Sequence, residues 1–308
     1  MNRIIFLGTS EFAVPSLRAL LADDRFDIIG AVTQPDRPVG RHAVMTAPAI
    51  KTVATESGIP VFQPEKIKEL KDDVSFQNLL EPRPDAFVVV SYGKILPQWF
   101  LDISAKGIVN VHGSLLPRWR GASPIQAAIA AGDTESGVTI MRIDADMDHG
   151  PVLATEEEPI SDSDTGKTLH DHLAEHGAKI LPDVLAGYLD GSIQPREQDH
   201  DLATYCKILT RDDGKIDWTK TSENIERLVR AYDPWPGTWT EIDGKRLKIL
   251  AARLGPTDET KNPGEMFNRD GKPYMSCGGG TSLELVTVQR EGGKSMDGSL
   301  AFVGRYTS

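Results

Sequence analysis

"RIIFLGTSEFAVPSLRALLADDRFDIIGAVTQ", residues 3–34, contains the pattern that decides the fold. Ile4–Leu7 is a short apolar run closed by Gly8. In "SEFAVPSLRALLADD", Leu17, Leu20 and Leu21 fall on one side of a helix. "FDIIGAVTQ" reads as a second strand, ended by "PDRPVGR". The alternation then repeats outward. "APAIKTVATESG" is a helix closed by Gly58, and "AFVVVSYG" and "GIVNVHG" are two further apolar strands. A strand that is apolar throughout is buried on both faces, and strands separated by helices pair in parallel. The chain is therefore expected to be α/β, with a Rossmann-like, mostly parallel sheet covered by helices on both faces. "GVTIMRID" and "GPVLATEEE" flank the loop "ADMDH" and read as an antiparallel pair.

A long amphipathic helix follows over about Gly166–Leu189, with Leu169, Leu173, Ile180, Val184 and Leu185 as its stripe. "DGSIQPREQDHD" is polar, with Gly and Pro, and reads as a linker. Beyond it "SENIERLVRAY" is one helix, followed by short strands with turn signals in "KRLKILAARLG", "GEMFNRDGKPYMSCGGG" and "SLELVTVQREGGK". These features predict a catalytic domain over residues 1–190, a linker over 191–206 and a small OB-like β-barrel over 207–308.

The 308 residues suit one large domain or two ordinary ones. No apolar window approaches the roughly 18 residues of a membrane helix, and Ile4–Leu7 is too short for a signal peptide. Cys206 and Cys277 form neither a disulfide framework nor a CxxC pair. A cytoplasmic location without a membrane partner is expected. The net charge of −11 argues against a large nucleic-acid footprint, and no DNA partner is expected. The charge is uneven, however: residues 207–308 hold 16 Lys/Arg and 15 Asp/Glu, and residues 1–206 hold 18 and 30. The last hundred residues thus leave room for a polyanionic partner.

Residues 107–126, "GIVNVHGSLLPRWRGASPIQ", carry the chemistry. Side chains alternate along a strand, so Asn110 and His112 face one side at its C-terminal end. Open α/β sheets bind ligands outside those ends. The same pair also fits two strand-end polar groups bonded to a loop. Asp148, in the turn "DADMDHGP", is placed to lean over a neighbouring strand end. A carboxylate beside an imidazole fixes its tautomer and favours its charged form. Amide plus imidazolium would then aim two donors at one developing oxyanion. No Ser or Cys in this block sits in a nucleophile elbow, so attack by the substrate's own amine is favoured over covalent catalysis. The arginines and tryptophan of "SLLPRWRG" suit a ligand-lining loop. "QPDRPVGRH", residues 34–42, is a Pro/Gly loop carrying Arg37 and Arg41, either simply solvated or a lid at the same sheet edge.

Three further signals carry less. "HLAEH", His172–His176, matches a zinc-peptidase pattern but borders an ordinary apolar stripe, so no metal is expected. "LGTSEFAVP" lacks G-x-G-x-x-G, which argues against a dinucleotide. "YDPWPGTW", Tyr232–Trp239, is a rigid aromatic turn suited to packing or to stacking on RNA.

Taken in order, "RIIFLGTSEFAVPSL", "VTQPDRPVGR", "VFQP", "VVVSYGKILP", "NVHGSLLPRWRGASPIQ", "GVTIM", "MDHGP", "ATYCKI", "IDW" and "DPWP" span nearly the whole chain. This series resembles the methionyl-tRNA formyltransferases, a branch of the folate-dependent formyltransferases. The resemblance implies formyl transfer from 10-formyltetrahydrofolate, as co-substrate, to the amino group of methionyl initiator tRNA, in support of translation initiation. It implies Asn110, His112 and Asp148 as the catalytic set and Ser114, Leu115, Leu116 and Pro117 as folate-contacting residues. It also implies that the loop with Arg37 and Arg41 meets the tRNA, and that the C-terminal barrel grips it. Two departures stand out. His42, Ala43 and Val44 follow Arg41 where the family often has lysines, and His149 stands where it commonly has a small residue. The alternative is a related folate-dependent formyltransferase acting on a small amine, such as a purine-pathway nucleotide or an amino sugar; the hundred-residue second domain counts against the nucleotide case.

Overall fold

In the computed structural model, which describes residues 1–40, 43–257 and 260–302, the expected alternation builds a seven-stranded sheet. Its strands are β1 Asn2–Gly8, β2 Phe26–Val32, β3 Val61–Phe62, β4 Ala86–Val90, β5 Ile108–His112, β6 Glu135–Arg142 and β7 Val152–Pro159. Their order is β7-β6-β5-β4-β1-β2-β3. The pairs β1–β2, β1–β4, β2–β3 and β4–β5 are parallel, and β5–β6 is antiparallel. The strand order reverses between β1 and β4. That is the switch point at which loops diverge and an open sheet leaves a crevice.

Five helices among the described residues reach eight residues: α1 Val14–Leu21, α2 Ala49–Glu56, α3 Pro124–Ala131, α4 Gly166–Asp190 and α5 Ser222–Ala231. Alternation assigns the two faces of the sheet. Ile5, Leu7, Phe87, Val89 and Ile108 point to one side, where they pack with Phe62, Phe76 and Phe100. Val111 points to the other side, against α4. A Cβ on Gly177 of α4 would lie 2.8 Å from Val111 Cγ1, so this helix rests directly on the sheet. Both faces are covered, as the apolar strands require. No helix among the described residues is long and apolar enough to cross a membrane.

The chain divides into two compact units. The first comprises Met1–Ala122, Ser136–Pro159 and His170–Cys206. The second comprises Ser123–Glu135, Ile160–Leu169 and the chain from Lys207 onward. The second unit is an antiparallel sheet of β8 Thr238–Ile242, β9 Lys245–Leu254, β10 Met266–Arg269, β11 Lys272–Ser276, β12 Ser282–Arg290 and β13 Ser295–Asp297. The path is β8-β9-β12-β11-β10, with β13 also on β12. Among the described residues no ladder joins the end strands β8 and β10. Its core combines Ile225 and Val229 of α5 with Leu247, Ile249, Met275, Leu283, Leu285 and Val288. Asp243–Gly244 and Asp270–Gly271 make its tight hairpins, with φ of 51°, 71°, 54° and 78°. Positive φ at both central residues suits the twist of paired strands.

These units differ from the expected boundaries. The second unit takes up two earlier segments, and residues 191–206 belong to the first. Arg196 and Val152 exchange backbone hydrogen bonds of 2.7 and 2.8 Å. Arg120 N donates to Thr204 O at 2.9 Å, and Tyr205–Cys206 pairs in parallel with Arg120–Gly121. The segment's polarity suggested a solvated linker. Its polar groups instead hydrogen-bond to the first unit, and Gln198 is buried.

Candidate active site

Strand β5 begins in the core and ends in polar groups. Ile108, Asn110 and His112 share one face. Across the ladders, Asn110 lies between Val89 and Met141, and His112 is paired with Thr139. Asn110 and His112 are both buried, at 9% and 7% exposure. His112 Nε2 lies 3.0 Å from Trp119 O. A carbonyl oxygen only accepts, so Nε2 carries a proton and donates it. Nδ1 faces Asp148 Oδ2 at 3.7 Å, close enough for charge attraction but beyond a hydrogen bond.

Asp148 reaches this position from a turn in which its own φ is +49°. That left-handed conformation is uncommon outside glycine, and a short polar side chain tolerates it best. Oδ2 accepts a 2.8 Å hydrogen bond from Gly121 N. Gly121 has φ +117°, and a Cβ there would lie 2.1 Å from Cys206 O. Only glycine fits this close approach. The geometry thus unites the three residues singled out from sequence, from β5 and the β6–β7 turn, with Gly121 as a fourth contributor.

The Ser114–Pro117 loop is held from beneath by Thr139, which is fully buried. Thr139 Oγ1 donates to Ser114 O at 2.7 Å and accepts from Leu116 N at 3.0 Å. Ser114 Oγ donates to Arg118 O at 2.6 Å. Ser114 and Leu116 therefore face inward, and Leu115 and Pro117 are half-buried.

The two arginines of "SLLPRWRG" part company. Arg118 is exposed, with its guanidinium 4.6 Å from the Trp119 ring centroid. Arg120, expected to line a ligand, is only 2% exposed and points into the protein. The strap of residues 196–206 covers it, which no local pattern announces. Arg37 is exposed, and its Nη2 lies 2.6 Å from Glu65 Oε2. Arg41 lies outside the described residues. His149 Nδ1 bonds Asp144 Oδ2 at 2.7 Å, and its ring stacks on His200 at 3.9 Å between centroids. In the "HLAEH" segment, His172 and His176 both engage Glu158, at 3.1 and 3.2 Å. In the aromatic turn, Trp239 is buried, with Arg246 3.8 Å over its ring, and Trp235 stays exposed.

Other residues at this sheet edge escaped the sequence analysis. Thr9 Oγ1 and Gln34 Nε2 both donate to Tyr92 O at 3.0 Å, tying together the loops after β1, β2 and β4. Burial pushes the Tyr92 phenol well above its usual pKa. The signal available was positional: Thr9 and Tyr92 follow the two strands flanking the switch point, and Gln34 follows the next strand, β2. Thr139 offered less, since a threonine in an apolar strand reads as core.

Comparison with known proteins follows the same outline. The family model described as "Formyl transferase" matches residues 2–185, and "Formyl transferase, C-terminal domain" matches residues 208–305. A methionyl-tRNA formyltransferase of Pseudomonas putida is 45% identical over 303 residues, covering 98% of this chain and 96% of its own. The chain belongs to the methionyl-tRNA formyltransferase family. A methionyl-tRNA formyltransferase of Acidobacterium capsulatum is 42% identical over 295 residues, covering 96% of this chain and 94% of its own. Among solved structures, a sugar 3N-formyl transferase, WlaRD, was determined in the presence of dTDP and 5-N-formyl-THF. It superposes with a TM-score of 0.68 at 20% identity, over 94% of this chain and 98% of its own. That likeness extends the formyltransferase fold over both units.

Proposed function

We propose that this chain transfers the formyl group of 10-formyltetrahydrofolate to the α-amino group of methionyl initiator tRNA. The observation that carries this reading is the 45% identity to a methionyl-tRNA formyltransferase across 98% of the chain, both units included. The buried Asn110–His112 pair with Asp148 beside it supports the chemistry.

The amine nitrogen attacks the formyl carbon, which becomes tetrahedral while its oxygen gains charge. Asn110 supplies one donor to that oxygen. His112 Nε2 is committed to Trp119 O, so the Nδ1 edge, facing Asp148, is the edge left for the reacting group. With Nδ1 protonated, the ring is a second donor, and Asp148 balances its charge. The C–N10 bond then breaks. The proton lost by the amine leaves by way of Asp148 and water, and N10 takes one up. An α-amino group has a pKa of about 8, so no strong base is needed. Preorganised donors of this kind are worth on the order of 10²–10³ each in rate.

The folate fit follows from the loop. Ser114 and Leu116 spend their polar groups on Thr139 and Arg118, which makes the loop a firm wall rather than a set of free donors. Leu115 and Pro117 present the surface suited to an apolar ring system. The loop bearing Arg37 and Arg41 and the charge-balanced stretch 207–308 are assigned to tRNA. The test is a formyl-transfer assay comparing charged initiator tRNA, charged elongator tRNA, and nucleotide and sugar amines. Preferred formylation of initiator tRNA is expected. Faster transfer to a small amine would replace this reading with the sister activity.

A further inference from the structure

We propose that Gln198 is a positioning residue that sets the Asp148 carboxylate against His112. The inference rests on the catalytic reading above. A primary amide has two acceptor sites on oxygen and two N–H donors. Gln198 uses all four. Its Oε1 accepts from Arg120 Nε at 3.1 Å and from Arg120 Nη2 at 2.7 Å. Its Nε2 donates to Asp148 O at 2.9 Å and to Gly150 O at 2.7 Å. The amide therefore has one orientation. Flipped, it would set its oxygen against two carbonyls and its NH₂ against a guanidinium.

The contacts close a circuit. Gly121 N holds the Asp148 carboxylate, Gln198 holds the Asp148 carbonyl, and Arg120 holds Gln198. Arg120 and Gly121 are neighbours in the chain, so one peptide unit governs both ends of the same aspartate. The clamp acts on a residue in an unfavourable backbone region, φ +49°, where the turn by itself would relax. Arg120 is fixed in turn by His200 Nδ1 at 2.8 Å and Tyr205 Oη at 3.4 Å. Both Gln198 and Arg120 are buried, so water does not compete for these bonds. Gln198 touches no reacting atom. Its effect passes through the Asp148 turn.

Gln198→Glu is the informative variant. It keeps acceptors for Arg120, removes both donors and turns a carboxylate oxygen toward two carbonyls. The Asp148 turn should shift. Misplacement by about 1 Å costs up to about 10²-fold, so kcat should fall by roughly 10–100-fold with KM for both substrates within about twofold. A second readout does not depend on activity. The Gly121 amide proton, bonded to Asp148, should follow the Asp148 titration in ¹H–¹⁵N spectra of the wild type and lose that response in the variant. A merely structural role would not move this signal alone. Should Gln198→Glu not fold, the double variant Arg120→Met/Gln198→Leu removes the buried charge with its partner, and the same two losses are expected. A folded variant with wild-type Gly121 response, or with kcat unchanged, overturns the assignment. Absence of formyl transfer by the wild type would instead count against the proposed function, leaving the Gly121 result to judge the clamp.

Discussion

Replacing Thr139 by valine deletes a buried hydroxyl at nearly constant volume. The hydroxyl serves two backbone groups, Ser114 O and Leu116 N, and Thr139 is fully buried. Each buried group left without a partner costs about 1–3 kcal/mol, so two cost about 2–6 kcal/mol. The added apolar group returns about 1 kcal/mol, leaving a net loss of about 1–5 kcal/mol. For a unit of this size each kcal/mol lowers Tm by about 2–4 °C. A fall of roughly 2–20 °C follows from the same scaling. Thr139→Ser keeps both bonds and sheds one methyl, worth about 1 kcal/mol. Amide hydrogen exchange at Leu116 separates the cases, because that N–H is the one the hydroxyl accepts from. Exchange should accelerate in Thr139→Val and stay near wild type in Thr139→Ser. If the loop is the folate wall, KM for folate should rise in the valine variant alone. Equal Leu116 protection in both variants would show that the hydroxyl does not hold the loop.

Asn110→Ala and His112→Ala should each lower kcat on the order of 10²–10³ with little change in KM; near-normal turnover in steady-state assays would remove the oxyanion assignment. Gly121→Ala must open the Arg120–Gly121/Tyr205–Cys206 ladder, since the new Cβ would sit 2.1 Å from Cys206 O. It should cost about 2–5 kcal/mol, whereas Gly58→Ala, with nothing within 4 Å of its Cβ, should cost about 1–2 kcal/mol in thermal melts. Burial pushes the Cys277 thiol from 9.0 up to about 12, with a smaller contribution from Glu223. Its neutral form is thus favoured by folding: the stability it contributes is full below pH 9 and is lost as pH rises toward 12. In a Cys206→Ser background, a thiol reagent at pH 8 should label Cys277 only at the rate of unfolding.

What could be read before folding was whatever repeats locally. Apolar strands separated by helices imply a doubly covered parallel sheet. The i, i+2 spacing of Asn110 and His112 puts them on one face wherever the strand goes. The aspartate in the β6–β7 turn was legible because a turn between adjacent strands cannot stray far from their ends. The burial of Arg120 and the hydrogen bonds of residues 191–206 escaped the sequence for one shared reason. A charged or polar residue is solvated in most contexts, and only its distant partner reveals otherwise.

Local pattern suffices for the sheet, the order of its strands' chemistry and the strand end where Asn110 and His112 emerge. These follow from backbone periodicity, which acts over a few residues. The aim of Asp148 comes from long-range contacts. Its carboxylate is held by a glycine 27 residues away and its carbonyl by a glutamine 50 residues away. Such bonds have no period in the chain. They form because folding brings separate segments together in a buried space, where each polar group must find a partner or bear the cost of lost water.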